Sequence, residues 1–302
     1  MTRALLNSGI ELEYDTFGSP DDPALLLVMG LGAQMTAWET GWCELLAGHG
    51  RFVIRFDNRD VGLSTQLDAA VDVGALMMAA MTGGELPKVP YTLSDMAADA
   101  IALLDHLGVR TAHVVGASMG GMITQTMAIE HPERLISATS IMSTVGDKAH
   151  GQPSPEAMGI LLAPPVFTRQ EIVDRSANFA VVASQRYFDP DVARQRAGEA
   201  FDRSFTPDGF GRQIAAIFAS GDRSAALANV TVPMLVIHGL DDTLVTPSGG
   251  RRTAELVPGA HLLELADMGH DLPSQQWPLV VAAIIGHTES AARNAAARAV
   301  PS

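Results

Sequence analysis

A serine flanked by two glycines, in the sequence Gly-Ala-Ser-Met-Gly at residues 116–120, is the feature of this chain best suited to chemistry. An apolar run typical of a short buried strand precedes it at residues 112–116, and a run typical of a helix follows at residues 119–129. A serine at such a turn presents its hydroxyl to a pocket, and the glycines avoid clashes with the neighbouring strand and helix. We therefore predict that Ser118 is a nucleophile, against the alternative of a glycine-rich turn that only begins a helix.

A serine hydroxyl is a poor nucleophile until a neighbouring base removes its proton, and imidazole is the side chain that titrates close to neutral pH. Nine histidines are candidates for that base. His270 lies in the sequence Asp-Met-Gly-His-Asp, which follows the last apolar run at residues 260–266, and a histidine in such a loop can reach over the serine. We predict that His270 is the base; the alternative is a solvated loop histidine.

An acid must orient the imidazole and stabilise its cation. Asp241 and Asp242 follow an apolar run at residues 232–238, and because adjacent side chains rarely point the same way, only one of them is expected to reach His270. Asp147 is a weaker candidate, and Asp271 is too close in sequence to His270 to approach its ring from across the site. The chain order of serine, aspartate and histidine is that of serine hydrolases with a strand-turn-helix nucleophile.

These candidates follow apolar runs that alternate with helical patterns, as in a mostly parallel sheet with helices on both faces. Residues 10–17 alternate apolar and polar side chains, which predicts an antiparallel strand with one exposed face. Helices are predicted at residues 93–107, with Ser94 as N-cap, at 119–129 and at 277–285. The remaining strands are predicted at residues 24–29, 51–56, 112–116, 135–142, 232–238 and 260–266. The predicted fold class is therefore α/β.

The segment at about residues 147–228 breaks this rhythm, with four prolines before residue 166 and helix-like pieces without a clear strand. We predict a helical cap, or lid, at residues 147–228, inserted into a core domain formed by residues 1–146 and 229–302. Apolar side chains of the cap that face the site would favour an apolar acyl chain, as in lipid esters or thioesters; the alternative is that they form the cap's own core. These side chains are Met158, Leu161, Leu162, Val166, Phe167, Phe179, Phe188, Phe201 and Phe205.

Composition excludes several other classes of function. The chain has 302 residues, 47% of them hydrophobic, and a formal net charge of -14, so nucleic acid is not an expected partner. It lacks a His-Glu-x-x-His pattern, a Cys–His cluster and a complete dinucleotide-binding glycine fingerprint, so we expect neither a metal nor a cofactor. Cys43 is predicted to be a small buried core residue. With no secretory signal and no apolar run of membrane-spanning length, a cytoplasmic location is expected.

Over nearly its whole length the chain resembles the α/β-hydrolase superfamily, and within it the branch of bacterial esterases and lipases that includes aclacinomycin methylesterase. The motifs that carry the resemblance are Leu-Leu-Leu-Val-Met-Gly at residues 25–30, Ile-Arg-Phe-Asp-Asn-Arg-Asp-Val-Gly-Leu-Ser-Thr at 54–65, Val-Val-Gly-Ala-Ser-Met-Gly-Gly at 114–121, His-Gly-Leu-Asp-Asp at 238–242 and Met-Gly-His at 268–270. The resemblance implies Ser118 as nucleophile and His270 as base. The family's His-Gly-x-x-Asp spacing implies Asp242, rather than Asp241, as the acid.

The resemblance also implies an oxyanion hole formed by the backbone N–H groups of Leu31 and Met119. Many relatives have His-Gly where this chain has Met29-Gly30, a change that keeps the backbone donor but alters the pocket wall. The charged residues at 57–65 are implied to be structural. Dehalogenases and epoxide hydrolases of the superfamily have an aspartate at the nucleophile position, so Ser118 argues against both activities.

The function expected from these residues is hydrolysis of carboxylic esters through an acyl-enzyme, with a small-molecule ester or acyl compound as substrate. The same three side chains could serve C–C bond hydrolysis, an aminopeptidase or acyl transfer, because the insertion sets the substrate. A non-catalytic ligand-binding protein of the same fold is the remaining alternative.

Overall fold

The computed structural model of the chain describes residues 2–161 and 163–299. The strands are β1 (Thr2–Leu5), β2 (Glu11–Phe17), β3 (Ala24–Val28), β4 (Phe52–Phe56), β5 (Ala112–Ala117), β6 (Leu135–Ile141), β7 (Met234–Gly239) and β8 (His261–Leu265). The α-helices are α1 (Thr40–Gly48), α2 (Val73–Thr82), α3 (Leu93–His106), α4 (Met119–Glu130), α5 (Pro155–Leu161), α6 (Arg169–Ser176), α7 (Pro190–Arg203), α8 (Pro207–Ser220), α9 (Ser224–Leu227), α10 (Pro247–Leu256) and α11 (Trp277–Ala299).

The strands form one sheet in the order β1-β2-β4-β3-β5-β6-β7-β8. β2 pairs antiparallel with β1 and with β4, whereas all other neighbouring strands in this sheet are parallel. The predicted mostly parallel sheet is therefore confirmed. Because parallel strands end at the same edge, the loops after β5, β7 and β8, which carry the candidate serine, aspartates and histidine, lie along one edge of the sheet.

Helices cover both faces of this sheet, as predicted. In β3, Leu26 and Val28 belong to one buried core, whereas Leu25 and Leu27 belong to the other. The cause is the strand geometry, in which successive side chains point to opposite faces. Helices α3 and α4 fill the first core, and α1 and α11 fill the second.

The N-cap predicted for α3 is wrong. Ser94 is not the N-cap of α3; Thr92 is, and the Asp95 carboxylate accepts hydrogen bonds from the amide and the hydroxyl of Thr92, both at 2.8 Å. The side chain of Ser94 instead donates to Glu130 of α4. Strand β1 and helices α2 and α10 were not predicted from the sequence.

The loop after β4 is held by ion pairs and by a hydrogen bond to backbone. Arg59 pairs with Asp99 of α3 at 2.6 Å, and Asp57 accepts the amide of Met35 at 2.7 Å. Asp60 binds the guanidinium of Arg212 through both carboxylate oxygens, each at 2.9 Å. These contacts support the structural role that was expected for the charged residues at 57–65, and they fasten the loop to α3 and to α8.

The insertion between β6 and β7, at residues 147–228, contains helices α5 to α9 and, among its described residues, no strand. Its α8 contributes Ala216 to the core under α3 and α4, so this part of the insertion is continuous with the rest of the molecule. The boundaries of a cap domain at residues 147 and 228 stay a prediction. None of the helices in the described part of the chain is long and apolar enough to cross a membrane.

Candidate active site

Ser118 occupies the turn between β5, which ends at Ala117, and α4, which begins at Met119. Its backbone has φ 57° and ψ -120°, a conformation that residues other than glycine rarely adopt. The turn is held on both sides, because the Ser118 amide donates to Ile141 O at 2.9 Å and the Ser143 hydroxyl donates to Ser118 O at 2.8 Å. A strained residue fixed in this way is typical of functional sites.

The two glycines of the motif avoid steric clashes with neighbouring backbone, as predicted. A Cβ at Gly116 would lie 2.0 Å from Gly120 O, and a Cβ at Gly120 would lie 2.0 Å from Val28 O. Both contacts involve backbone atoms, which cannot move aside without displacing β3 or α4. Close packing of strand, turn and helix therefore requires glycine at both positions.

The structure brings Ser118, His270 and Asp242 together. Nε2 of His270 lies 2.9 Å from Oγ of Ser118, and Nδ1 of the same ring lies 2.7 Å from Oδ2 of Asp242. Asp242 is 2% exposed and His270 is 8% exposed. This chain of two hydrogen bonds can move a proton from the hydroxyl to the imidazole while the carboxylate stabilises the resulting cation.

The other candidate acids lie elsewhere. Asp241 accepts the amide of Gln185 at 3.2 Å, and Asp147 pairs with His150 at 2.8 Å. Asp271, next to His270, accepts backbone amides through one carboxylate oxygen, Oδ1, rather than binding the ring.

Asp242 is held as a carboxylate. Burial alone would raise its pKa, but the charge of His270 and hydrogen bonds from His238 and His270 outweigh burial and bring the pKa below its ordinary value. Its second oxygen, Oδ1, accepts the amides of Leu244 and Val245, both at 2.9 Å. The side chain is thus fixed by four neighbours and poised to orient the imidazole.

His238 is a residue that sequence reasoning did not assign to the site. It is fully buried at the end of β7, and its Nε2 donates to Val245 O at 2.7 Å while lying 3.5 Å from Oδ2 of Asp242. The signal was present in the sequence as a histidine four residues before the acid, at the end of an apolar strand.

Two backbone donors lie beside the serine. A Cβ at Gly30 would be 3.0 Å from Cβ of Ser118, so the loop after β3 passes directly over the nucleophile position. The amides of Leu31 and Met119 donate no hydrogen bond to any residue in the described part of the chain. The next amide in the loop, that of Gly32, is fixed to Gln213 of α8 at 2.8 Å. Free N–H groups at a rigid turn next to a nucleophile can stabilise an oxyanion.

A cavity of about 1350 Å³ opens beside Ser118 and His270. Most of its wall is apolar, with Trp38 and Met142 from the core and Phe210 from α8. Of the apolar side chains named from the sequence of the insertion, those that line the cavity are Leu161, Val166, Phe167, Phe179 and Phe205. Met158, Phe188 and Phe201 do not line it, and Leu162 lies outside the described residues. The volume exceeds that of typical small-ligand pockets, so the cavity has room for a bulky molecule.

Other reactive side chains are buried in the core. Cys43 is fully buried, as predicted, and burial raises the pKa of its thiol to about 12, so it is a poor nucleophile. His113 lies within β5, bonded to Ser137 at 2.8 Å, and burial lowers its pKa to about 4. Within residues 2–161 and 163–299, no group of three or more histidine, cysteine, aspartate or glutamate side chains is arranged to hold a metal.

Comparisons with known proteins agree with the fold of the chain. Residues 23–274 match the family model described as alpha/beta hydrolase fold. The chain is 31% identical over 311 residues to rhodomycin D methylesterase from Streptomyces peucetius, an alignment that covers 96% of this chain and 99% of the methylesterase. It is also 29% identical to a putative carbamate hydrolase from Variovorax paradoxus, over 86% of this chain and 89% of that protein.

Among solved structures, the enol-lactonase from Burkholderia xenovorans LB400 superposes with a TM-score of 0.73 at 23% identity, covering 95% of this chain and 99% of the lactonase. A meta-cleavage product hydrolase from Pseudomonas fluorescens IP01 superposes with a TM-score of 0.75 at 19% identity, over 96% and 98% of the two chains. At these identities the structural matches establish the fold.

Proposed function

The chain belongs to the alpha/beta hydrolase family, and from that premise we propose that it hydrolyses carboxylic esters through an acyl-enzyme formed on Ser118. The family and the fold class expected from the sequence are confirmed. The methylesterase relative supports ester hydrolysis. The single observation that carries the residue assignment is the hydrogen-bonded chain from Asp242 through His270 to Oγ of Ser118.

The first half of the reaction acylates the serine. Oγ of Ser118 attacks the acyl carbon as Nε2 of His270 takes the hydroxyl proton, and the buried carboxylate of Asp242 stabilises the imidazolium. The carbonyl oxygen becomes an oxyanion, which accepts hydrogen bonds from the amides of Leu31 and Met119. The imidazolium then gives its proton to the leaving alkoxide oxygen, so an alcohol departs and the acyl group stays on Ser118.

The second half releases the acid. His270 removes a proton from water, and the resulting hydroxide attacks the acyl carbon through a second oxyanion held by the same two amides. Collapse breaks the bond to Oγ of Ser118, which regains its proton from the imidazolium. The net reaction is ester plus water to carboxylic acid plus alcohol, without an added cofactor.

The substrate we propose is an ester of a bulky, largely apolar acid with a small alcohol. The cavity of about 1350 Å³ beside Ser118, with its mostly apolar wall, supports a large acyl part. The relative named as a methylesterase supports a small leaving alcohol. Lipid esters and thioesters suit the same apolar wall, and the lipase and thioesterase activities expected from the sequence stay predictions. The cytoplasmic location also stays a prediction.

The experiment is covalent labelling followed by turnover. We expect a fluorophosphonate to label Ser118 and p-nitrophenyl esters to be hydrolysed, with kcat lowered by at least about 10⁴-fold in Ser118→Ala. Ser274→Ala, at an exposed serine, is the matched control and is expected to keep full activity. An unlabelled wild-type protein, or ester turnover that survives in Ser118→Ala, would rule out the proposal. Amide and diketone panels distinguish peptidase and C–C hydrolase activity with the same residues.

A further inference from the structure

Residues 181–185 of the insertion, here called the clamp segment, bind the loop that carries His270. The amide of His270 itself donates to Val182 O at 2.6 Å. The Ser184 hydroxyl donates to Asp267 O at 2.7 Å, and the Ser184 amide donates to Oδ1 of Asp271 at 2.8 Å. The loop after β8 is therefore bonded to the clamp segment at residues before, at and after the histidine.

The same segment also binds the loop after β7, which carries Asp242. The Thr243 hydroxyl donates to Val181 O at 2.7 Å, and the Gln185 amide donates to Asp241 at 3.2 Å. One short stretch of the insertion thus bridges the loop of the proposed acid and the loop of the proposed base. It adds to the direct bond between the two loops, from the Asp241 amide to Met268 O at 2.9 Å, in setting how they lie relative to each other.

Packing at this bridge leaves little room for movement. Val182 and Ala183 are each 1% exposed, and Ser184 is fully buried. A Cβ at Gly269, the residue before the histidine, would lie 2.3 Å from the backbone carbon of Ala183. A rigid contact of this kind transmits any shift of the clamp segment directly to the imidazole.

Asp271 is the centre of the bridge. Its Oδ1 accepts two amides, from Ser184 at 2.8 Å and from Gly269 at 3.1 Å, so a single oxygen joins the clamp segment to the backbone on the other side of His270. No described residue donates to its Oδ2. A single oxygen acceptor at the Oδ1 position is therefore enough to accept the amides of Ser184 and Gly269, and a full carboxylate is not required.

We propose that Asp271 and Ser184 are positioning residues that hold His270 in line between Asp242 and Ser118 by tying its loop to the clamp segment. The proposal rests on the proposed function, because it assigns a role in placing the proposed base. It also means that this part of the insertion is a fixed component of the site, whatever motion the rest of the insertion has.

The test compares Asp271→Ala with Asp271→Asn on a short p-nitrophenyl ester. Loss of both hydrogen bonds in Asp271→Ala is expected to lower kcat by about 10–100-fold with KM within about threefold, since a misplaced catalytic group affects chemistry more than binding. Asp271→Asn keeps an oxygen at Oδ1 and is expected to restore kcat to within about threefold of the wild type. The matched control is Arg186→Ala, which removes the exposed ion pair with Asp267 and the contact of the guanidinium with the Tyr187 ring, and is expected to change kcat by less than about twofold.

Ser184→Ala keeps the backbone bond to Asp271 but loses the two bonds of the hydroxyl, to Asp267 O and from the Tyr187 amide, so we expect an intermediate loss of kcat, about 3–10-fold. It also keeps the test decisive if Asp271→Ala fails to fold. Equal inactivity of Asp271→Asn and Asp271→Ala, or wild-type kcat in folded Asp271→Ala or Ser184→Ala, would overturn the positioning role. These results leave the proposed function intact, whereas activity that survives in Ser118→Ala rejects that function itself.

Discussion

His238 and His270 share one oxygen of Asp242: Oδ2 lies 2.7 Å from Nδ1 of His270 and 3.5 Å from Nε2 of His238. Since Nε2 of His238 also faces Val245 O at 2.7 Å, that nitrogen carries the proton and is divided between a carbonyl and the carboxylate. Its Nδ1 is buried without a partner in the described part of the chain. The His238 ring therefore gives the carboxylate a second imidazole neighbour besides His270.

Replacing this ring tests that support. His238→Phe removes the donor, leaves Val245 O unpaired in the core, and is expected to lower the free energy of unfolding by about 1–3 kcal/mol. We expect kcat to fall by about tenfold, because the carboxylate loses one of its restraints. His238→Gln, which can present an N–H at a similar reach, should lose less of both. Urea unfolding and ester kinetics measure the two effects, and equal behaviour of the two variants would contradict the role of the donor.

The adjacent aspartates provide a matched pair for the acid. Asp242→Asn removes the charge that stabilises the imidazolium and is expected to lower kcat at neutral pH by about 10³–10⁴-fold. Asp241→Asn changes a side chain whose described contact is one amide at 3.2 Å, and kcat should stay within about threefold of the wild type. Steady-state kinetics on the same ester compares them. A larger loss of kcat in Asp241→Asn than in Asp242→Asn would show that Asp241, rather than Asp242, is the acid.

Gly30 tests the proposed oxyanion loop. In Gly30→Ala the new methyl carbon would lie 3.0 Å from Cβ of Ser118 and 3.1 Å from Ala117 O, so the loop must shift. We expect kcat to fall by about 10–100-fold, since oxyanion donors act only within a narrow range of distance. Gly286→Ala is the control: nothing lies within 4 Å of that Cβ in α11, and the substitution should stabilise the helix by up to about 1 kcal/mol. Unchanged kcat in Gly30→Ala would count against the donor assignment.

The rim of the cavity should discriminate by substrate size. Phe210 lines the cavity and is 38% exposed, so a long acyl chain can cover its ring. Phe210→Ala is expected to raise KM for p-nitrophenyl octanoate about tenfold, corresponding to about 1–2 kcal/mol of lost apolar contact. KM for the acetate should change little. Phe188→Ala, outside the cavity, is the control, and equal effects on both esters would show that Phe210 does not contact the acyl group.

Because His113 is buried, we expect the stability of the protein to depend on pH. Its pKa in the folded protein is about 4, against 6.5 for a histidine exposed to water, so between these values the unfolded chain binds more protons. The stability that the neutral ring provides is complete above pH 6.5 and is lost as the pH falls toward 4, by about 2 kcal/mol at pH 5. His113→Gln should reduce the difference in unfolding free energy between pH 8 and pH 5 by that amount. An unchanged difference in urea titrations would refute the assignment.

Much of the fold could be predicted because strands such as β3 are continuously apolar and because the turn at Ser118 requires glycine at positions 116 and 120. Helix α2 carries an almost wholly apolar sequence without helical periodicity, and α10 begins with Pro-Ser-Gly-Gly, so neither gives a clear helical signal. The N-cap of α3 was misplaced because Thr92 and Ser94 both suit the position, and only the contact of Asp95 with Thr92 distinguishes them.

For the site, the sequence by itself determined the glycine-flanked serine turn, the apolar strands before each candidate loop, and the order of serine, aspartate and histidine along the chain. These are local properties, set by backbone sterics and by the apolar character of the strand segments. The family's His-Gly-x-x-Asp spacing implied Asp242 rather than Asp241 as the acid, but only the tertiary structure decided that this carboxylate meets the imidazole and that residues 181–185 bridge the two loops. Both depend on how segments that are distant in the chain pack together, and no local pattern encodes that packing.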